Sequence, residues 1–368
     1  MSSTTSASTS GTSRYRDRFG TAAASNHFRP QQGLQLSSIG IGTYLGAPDD
    51  AVDQRYVEAV IRAVQLGCNV IDSAANYRFQ RSERSIGVAL QRLSNELDIA
   101  RDELVVCTKG GYLPFDGAPP SNVRDYIQET FVTTGVATFD DFVGGSHCMT
   151  PAYLQNQLDQ SLKNLNTESI DVYYIHNPES QLGHISEAEF YYRIEAAFER
   201  LEANRQQQKL RHYGIASWNG FRSEAGSGKG HSLVRMVELA QRLAGNNHGF
   251  RFIQLPFNLA MPEALTLLNE VLSGQKVTVL EAAEQLGVTV MASASMMQGR
   301  VAANLPDDVR NALGSLSTDA QTAIQFVRST PGITTALVGM SRVEHVEENL
   351  QLAKVEPVTG ENFSQLFS

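Results

Sequence analysis

The chain has 368 residues, 42% hydrophobic and 19% charged, enough to bury a large core without disulfides. Its net charge of −9 and pI of about 5.4, with no block of Lys and Arg, argue against nucleic acid and anionic membranes as partners. Cys68, Cys107 and Cys148 form no CxxC and read as reduced thiols of a cytoplasmic protein, and no apolar run reaches the roughly 18 residues of a membrane span.

The opening stretch, MSSTTSASTSGTSRYRDRFG, is rich in Ser and Thr, carries Arg14, Arg16 and Arg18, and lacks an apolar secretory core. An organellar leader fits it loosely. A disordered tail over residues 1–12, followed by a single domain over 13–368, fits it better.

From residue 37 onward, short β-branched runs alternate with longer amphipathic stretches. The pattern predicts strands at 37–43, 68–74, 104–110, 171–176, 212–218, 252–258, 288–295 and 334–340. Helices are predicted between them at 53–66, 81–94, 152–165, 187–207, 231–244, 278–286, 319–329 and 343–352; the second, for instance, sets Ile86, Leu90 and Leu93 at helical spacing. No second cluster of hairpin signals is evident. Eight β-α pairs with apolar strands imply a parallel sheet covered by helices and suit an α/β (β/α)8 TIM barrel. An open doubly wound sheet is the alternative, and no GxGxxG opens a helix to support it.

Two connections exceed ordinary loop length: 110–150 after the third strand and 259–277 after the sixth. The first holds Tyr112, Phe115, Tyr126, Phe131, Phe139 and Phe142, which predicts a wall folded over the barrel mouth. Packing down the barrel side as an appendage is the competing arrangement. For His147-Cys148, near its end, the plain reading of no redox or metal role is favoured.

Barrels of this class carry function where strands end and βα loops begin. Those positions hold Gly42-Thr43-Tyr44 after the first strand, Asp72 and Tyr77 after the second, Lys109 after the third and His176 after the fourth. Ser217, Trp218 and Asn219 end the fifth, Gln254 lies on the sixth, Ser293 ends the seventh, and Gly339, Met340, Ser341 and Arg342 follow the eighth. Each ionisable group alone has a structural explanation, such as a helix cap or a core histidine. Four on consecutive strand ends favour a site. A Lys and an Asp at one barrel mouth should pair, because either is costly when desolvated alone. A phenol is a poor acid at neutral pH, and a nearby ammonium is expected to lower its pKa. Tyr77 then suits proton donation to a carbonyl oxygen that His176 also contacts, with Asp72 holding Lys109. No HxH or HExxH and no adjacent nucleophile-base pair points to metal-dependent or nucleophilic hydrolysis. Ser341, His345, Glu348 and Asn349 make one polar stripe on the last predicted helix, at the rim where such barrels bind phosphate, and Ser341 with Glu344 also reads as a capping box.

Five segments, IGIGTYLG, NVIDSAANY, VVCTKGG, DVYYIHNPE and GMSRVEHVEEN, resemble motifs of the aldo/keto reductase superfamily in the same order, over about residues 36–352. The second resembles the family's Asp-Thr-Ala-x-x-Tyr, with Ser73 in place of Thr. The resemblance implies a barrel enzyme that uses NADP(H) on a small carbonyl or alcohol substrate, with Asp72, Tyr77, Lys109 and His176 as catalytic tetrad. It implies cofactor contacts at Gly42, Thr43, Tyr44, Asp72, Ser217, Asn219, Gln254, Ser293, Met296, Gln298, Gly339, Ser341, Arg342, His345, Glu348 and Asn349. Three positions depart from the pattern. Ala216-Ser217 stands where Ser-Asn is usual, Ser293 stands where an aromatic often stacks, and the chain after the last helix is short. Two other readings compete: a cofactor-binding regulatory subunit on the same barrel, and a lyase or isomerase using Lys109 as a Schiff base.

Overall fold

The computed structural model describes residues 6–364 and 366. After α1 (Thr9–Phe19), β1 (Phe28–Gln31) and β2 (Leu34–Ser37) pair as an antiparallel hairpin. Next come β3 (Ile39–Gly42), α2 (Asp50–Gln65), β4 (Val70–Asp72), α3 (Arg81–Leu97) and β5 (Val105–Gly110). The connection after β5 holds α4 (Val123–Ile127) and leads to α5 (Pro151–Leu165), β6 (Ile170–His176), α6 (Glu187–Gln206) and β7 (Leu210–Ala216). Then follow α7 (Leu233–Ala244), β8 (Phe250–Pro256), α8 (Glu263–Thr266) and a second hairpin of β9 (Glu270–Leu272) and β10 (Gln275–Val277). The remainder is α9 (Val279–Gln285), β11 (Thr289–Ser293), α10 (Asp307–Ala312), α11 (Asp319–Ser329), β12 (Ile333–Gly339) and α12 (Val343–Asn349). Strands β3 to β8, β11 and β12 close into a parallel barrel, with β8 beside β11 and β12 beside β3. The fold is the (β/α)8 TIM barrel that the periodicity predicts, with an extended connection after its third strand. No helix among the described residues is long and apolar enough to cross a membrane.

Period-two alternation fills the interior and builds the site on top of it. Val70, Cys107, Tyr174, Phe252, Met291 and Leu337 belong to one buried cluster inside the barrel. Two residues further along each strand lie Asp72, Lys109, His176, Gln254, Ser293 and Gly339. The intervening Ile71, Tyr173, Ile175, Ile253 and Val290 pack outward beneath the helices. The polar rim is thus the next inward layer above an apolar plug.

The opposite end is closed by the N-terminal segment. Leu34 and Leu36 of β2 join the inner cluster together with Ala7, whose backbone N–H donates to Asp171 Oδ1 (2.6 Å) near the start of β6. Residues 6–12 are therefore not the disordered tail that their composition suggests. The Ser8 hydroxyl caps α1 by accepting from Gly11 N (2.8 Å), Tyr15 is buried, and Arg14 and Arg18 pair with Asp102 (2.6 Å) and Glu103 (2.7 Å). The Ser/Thr-rich stretch is a capped helix docked by one aromatic and two ion pairs. Residues 1–5 of the expected tail lie outside the described residues.

The hairpins are also a correction to the sequence reading. Each turns on two residues in the left-handed region, Gln32-Gly33 (φ 50° and 73°) and Ser273-Gly274 (φ 53° and 79°). A pair with both φ positive is the type I′ turn that matches strand twist, and a residue followed by Gly is its signal.

Several histidines are buried neutral. Burial lowers His27, His212 and His231 to about 3 and His147 to about 4. The unfolded chain takes up these protons below its ordinary histidine pKa, whereas the fold refuses them until pH 3–4. Stability is therefore fully present above about pH 6.5 and lost as pH falls, by about 1.4 kcal/mol per pH unit for each histidine. Urea unfolding at pH 7.0, 5.5 and 4.5 should show a steep fall in stability; a constant value across that range would contradict it.

Candidate active site

Four of the predicted residues meet at the carboxyl ends of β4, β5 and β6. Lys109 Nζ donates to Asp72 Oδ2 (2.6 Å) and to the Ser73 carbonyl oxygen (2.6 Å), and both Lys109 and Asp72 are buried. The ammonium lies 4.9 Å from the centroid of the Tyr77 ring. Tyr77 packs edge-on to His176 (5.8 Å between centroids) and to Tyr44 (4.9 Å). Gln254 Nε2 donates to the other oxygen of Asp72 (2.8 Å), so the carboxylate is held from both sides.

The electrostatics follow from burial and this pairing. Burial by itself would lower Lys109, but Asp72 more than offsets it and Lys109 sits above its ordinary value. A lysine held this firmly as an ammonium is a poor Schiff-base nucleophile. Burial, followed by the charge of Lys109, pushes His176 well below its ordinary value, so its ring is neutral. For Tyr77 the expected direction is overturned. Lys109 does pull the phenol down, but burial outweighs it and the pKa is raised above 10.

Tyr77 opens a turn that sequence reasoning missed. Arg78, Phe79 and Gln80 are three consecutive non-glycine residues in the left-handed region (φ 49°, 58° and 69°), a strained arrangement that the surroundings must hold. Arg78 is clamped by Asp53 and the Ala47 carbonyl, and Gln80 by the Phe115 carbonyl (3.1 Å).

The strand register gathers most of the expected cofactor positions. Gly339 pairs with Gly42, which pairs with Asp72, so Thr43-Tyr44 and Ser341-Arg342 emerge side by side. Tyr44 is 56% exposed. Thr43 is fully buried and donates to the Asp72 carbonyl oxygen (3.1 Å), bracing the loop. The Ser217 hydroxyl accepts from Gly220 N (2.7 Å), while Asn219 is exposed. Ser293 ends β11, half-buried like Met296, and Gln298 is exposed in the following turn. At α12 the N-cap is Arg342, with no side-chain cap, so the capping box expected from Ser341 and Glu344 is absent. The helix starts one residue later than that box requires. Arg342 and His345 are exposed, Ser341 and Glu348 are half-buried, and Glu348 accepts from Thr318 Oγ1 (2.7 Å). Arg342 forms no ion pair among the described residues, and buried Asn349 Oδ1 has no partner among them. A free cation and an orphaned acceptor fit a phosphate and an amino group of a nucleotide.

The connection after β5 divides between the two expected arrangements. Its stem reaches the site: the Tyr112 ring lies 5.2 Å from that of His176, and His147 Nε2 donates to the His176 carbonyl oxygen (2.8 Å). Its body packs outward, with Phe131 and Phe142 against Tyr153 of α5 (5.2 and 5.3 Å). Cys148 is buried and pushed up to about 11, the inert end of thiol behaviour.

The chain is similar to known proteins in sequence and in fold. The model of the aldo/keto reductase family matches residues 38–368. An uncharacterized oxidoreductase of Bacillus subtilis, YqkF, is 23% identical over 348 residues, covering 91% of this chain and 93% of its own. The L-glyceraldehyde 3-phosphate reductase of Escherichia coli O157:H7 is 24% identical over 374 residues, covering 91% and 89%. The crystal structure of an aldo/keto reductase from Klebsiella pneumoniae in complex with NADP and acetate superposes with a TM-score of 0.62 at 20% identity, covering 93% and 94%.

Proposed function

The chain belongs to the aldo/keto reductase family of oxidoreductases, and from that premise we propose that it uses NADP(H) to reduce aldehydes or ketones to alcohols, with Tyr77 as proton donor. The observation that carries this reading is the buried Lys109–Asp72 pair at 2.6 Å beside the Tyr77 ring, with His176 edge-on to that ring.

The residues at the rim of β12 and β3 would hold the cofactor, which would supply hydride for the carbonyl carbon. The chain's own residues handle the oxygen. Tyr77, with its pKa above 10, is fully protonated at neutral pH and donates to the carbonyl oxygen as negative charge develops there. The Lys109 ammonium stabilises the phenolate left behind, and Asp72 fixes the ammonium. Neutral His176 offers a hydrogen bond to the same oxygen without competing for the proton. Tyr44 and Tyr112 flank these groups, their rings against those of Tyr77 and His176. Titration with NADPH, followed by its oxidation with a panel of aldehydes and ketones, tests the reading; binding without turnover on any of them would favour a regulatory subunit.

Arg342 supports preference for NADP(H) over NAD(H). Exposed beside Ser341 and without an ion pair among the described residues, its guanidinium suits bidentate contact with a 2′-phosphate. Arg342→Ala should lower kcat/KM for NADPH by about tenfold, the effect of losing one charge-assisted hydrogen-bond pair, and leave that for NADH unchanged. Equal kcat/KM for the two cofactors in the unaltered chain would contradict this.

A further inference from the structure

The turn after His176 carries a buried carboxyl that the chemistry above does not use. Pro178–Gln181 forms a single turn of 3-10 helix. Oε1 of Glu179 accepts from the backbone N–H of Trp218 (2.7 Å) and of Asn219 (2.9 Å). Both of those residues are exposed just beyond β7, whereas Glu179 is buried, so the carboxyl holds their loop from beneath. Its Oε2 has no partner among the described residues and lies 3.9 Å from His231 Nε2. Both ring nitrogens of His231 are likewise buried without partners. The imidazole is wedged against Phe190 (6.0 Å) and Phe221 (4.4 Å), and a Cβ added at Gly220 would stand 2.0 Å from it. Two incompletely satisfied polar groups packed this tightly behind a loop call for an explanation.

The same turn also braces the other side of the rim. Gln181 Nε2 donates to His147 Nδ1 (3.0 Å), whose Nε2 donates to the His176 carbonyl oxygen. One short turn therefore fixes both the end of β6 and the loop after β7. We propose that Glu179 is a positioning residue for the nicotinamide cofactor: by holding the amides of Trp218 and Asn219 it sets the loop that carries Ser217 and Asn219, two of the expected cofactor contacts, and so sets cofactor affinity. This rests on the nicotinamide reading above. What reaches the amides is one acceptor oxygen, Oε1, at a fixed distance from the backbone of the turn. Burial pushes the Glu179 carboxyl up, against the opposing effect of the Asn219 and Trp218 amides.

Two conservative variants separate reach from charge. E179Q keeps the length and the oxygen, whereas E179D keeps the charge but withdraws it by about 1.5 Å, one carbon–carbon bond. Trp218 is the single tryptophan of the chain, so its emission reports the loop itself during NADPH titration. E179Q should bind NADPH within about threefold of the unaltered chain, and E179D about tenfold more weakly, with the loss falling on KM for NADPH rather than on kcat. E179D binding as tightly as the unaltered chain, or E179Q as weakly as E179D, would overturn the proposal. Amide hydrogen exchange gives an independent reading: tight NADPH binding by a variant whose Trp218 and Asn219 amides exchange freely would also overturn it. Failure of the unaltered chain to bind NADPH would instead overturn the nicotinamide reading.

Discussion

Tyr77→Phe should reduce carbonyl turnover by about 10²- to 10⁴-fold, the range for removal of a positioned general acid, while NADPH affinity changes by no more than a few fold. The substitution deletes one oxygen and keeps the ring, so the edge-on contacts with Tyr44 and His176 survive. The left-handed turn at Arg78–Gln80 that aims the ring is held by Asp53, Ala47 and Phe115, not by the hydroxyl. The loss should therefore fall on kcat. The raised pKa adds a pH signature: reduction needs the protonated phenol, so Tyr77 should impose no loss of kcat between pH 6 and 9 and should do so only above 10. Full turnover by Tyr77→Phe, or a Tyr77-dependent fall in kcat below pH 9, would remove the residue from this role.

Lys109→Met should damage both activity and stability, for separable reasons. Without the ammonium the phenolate formed during reduction loses its stabilising charge. The deletion also leaves Asp72 buried with one oxygen unpaired, and breaking a buried ion pair costs about 3–5 kcal/mol. Adding Asp72→Asn removes the orphaned charge, and Gln254 can still bond the amide oxygen. Urea unfolding of the double variant should recover much of the lost stability, whereas turnover should stay near that of Lys109→Met. Recovery of turnover along with stability would show that Lys109 acts only by holding the fold.

The eight barrel strands and their helices were legible because a closed parallel sheet repeats one hydrophobic pattern. The rim residues were legible for the same reason: Asp72, Lys109, His176 and Gln254 each stand two places beyond an inward apolar residue. The docked helix at Thr9–Phe19 was hidden, since its anchors Asp102 and Glu103 lie about ninety residues away and composition is a local measure. The two hairpins are encoded locally in Gln32-Gly33 and Ser273-Gly274, where the stronger periodic signal of the barrel masks them.

What the sequence determined by itself, then, is the repeat: the period of each element, the order of the strands, and which side chains stand at strand ends. What only the tertiary structure decided is everything set by competition at close range. Burial against one ammonium fixes the direction of the Tyr77 pKa. The start of α12 removes a capping box. A carboxyl on the turn after His176 holds the amides of Trp218 and Asn219, some forty residues further along the chain. Periodicity is a property of neighbouring residues and survives in the one-dimensional string. Desolvation and hydrogen-bond partnership depend on atoms a few ångströms apart in space, and these have no fixed separation in sequence.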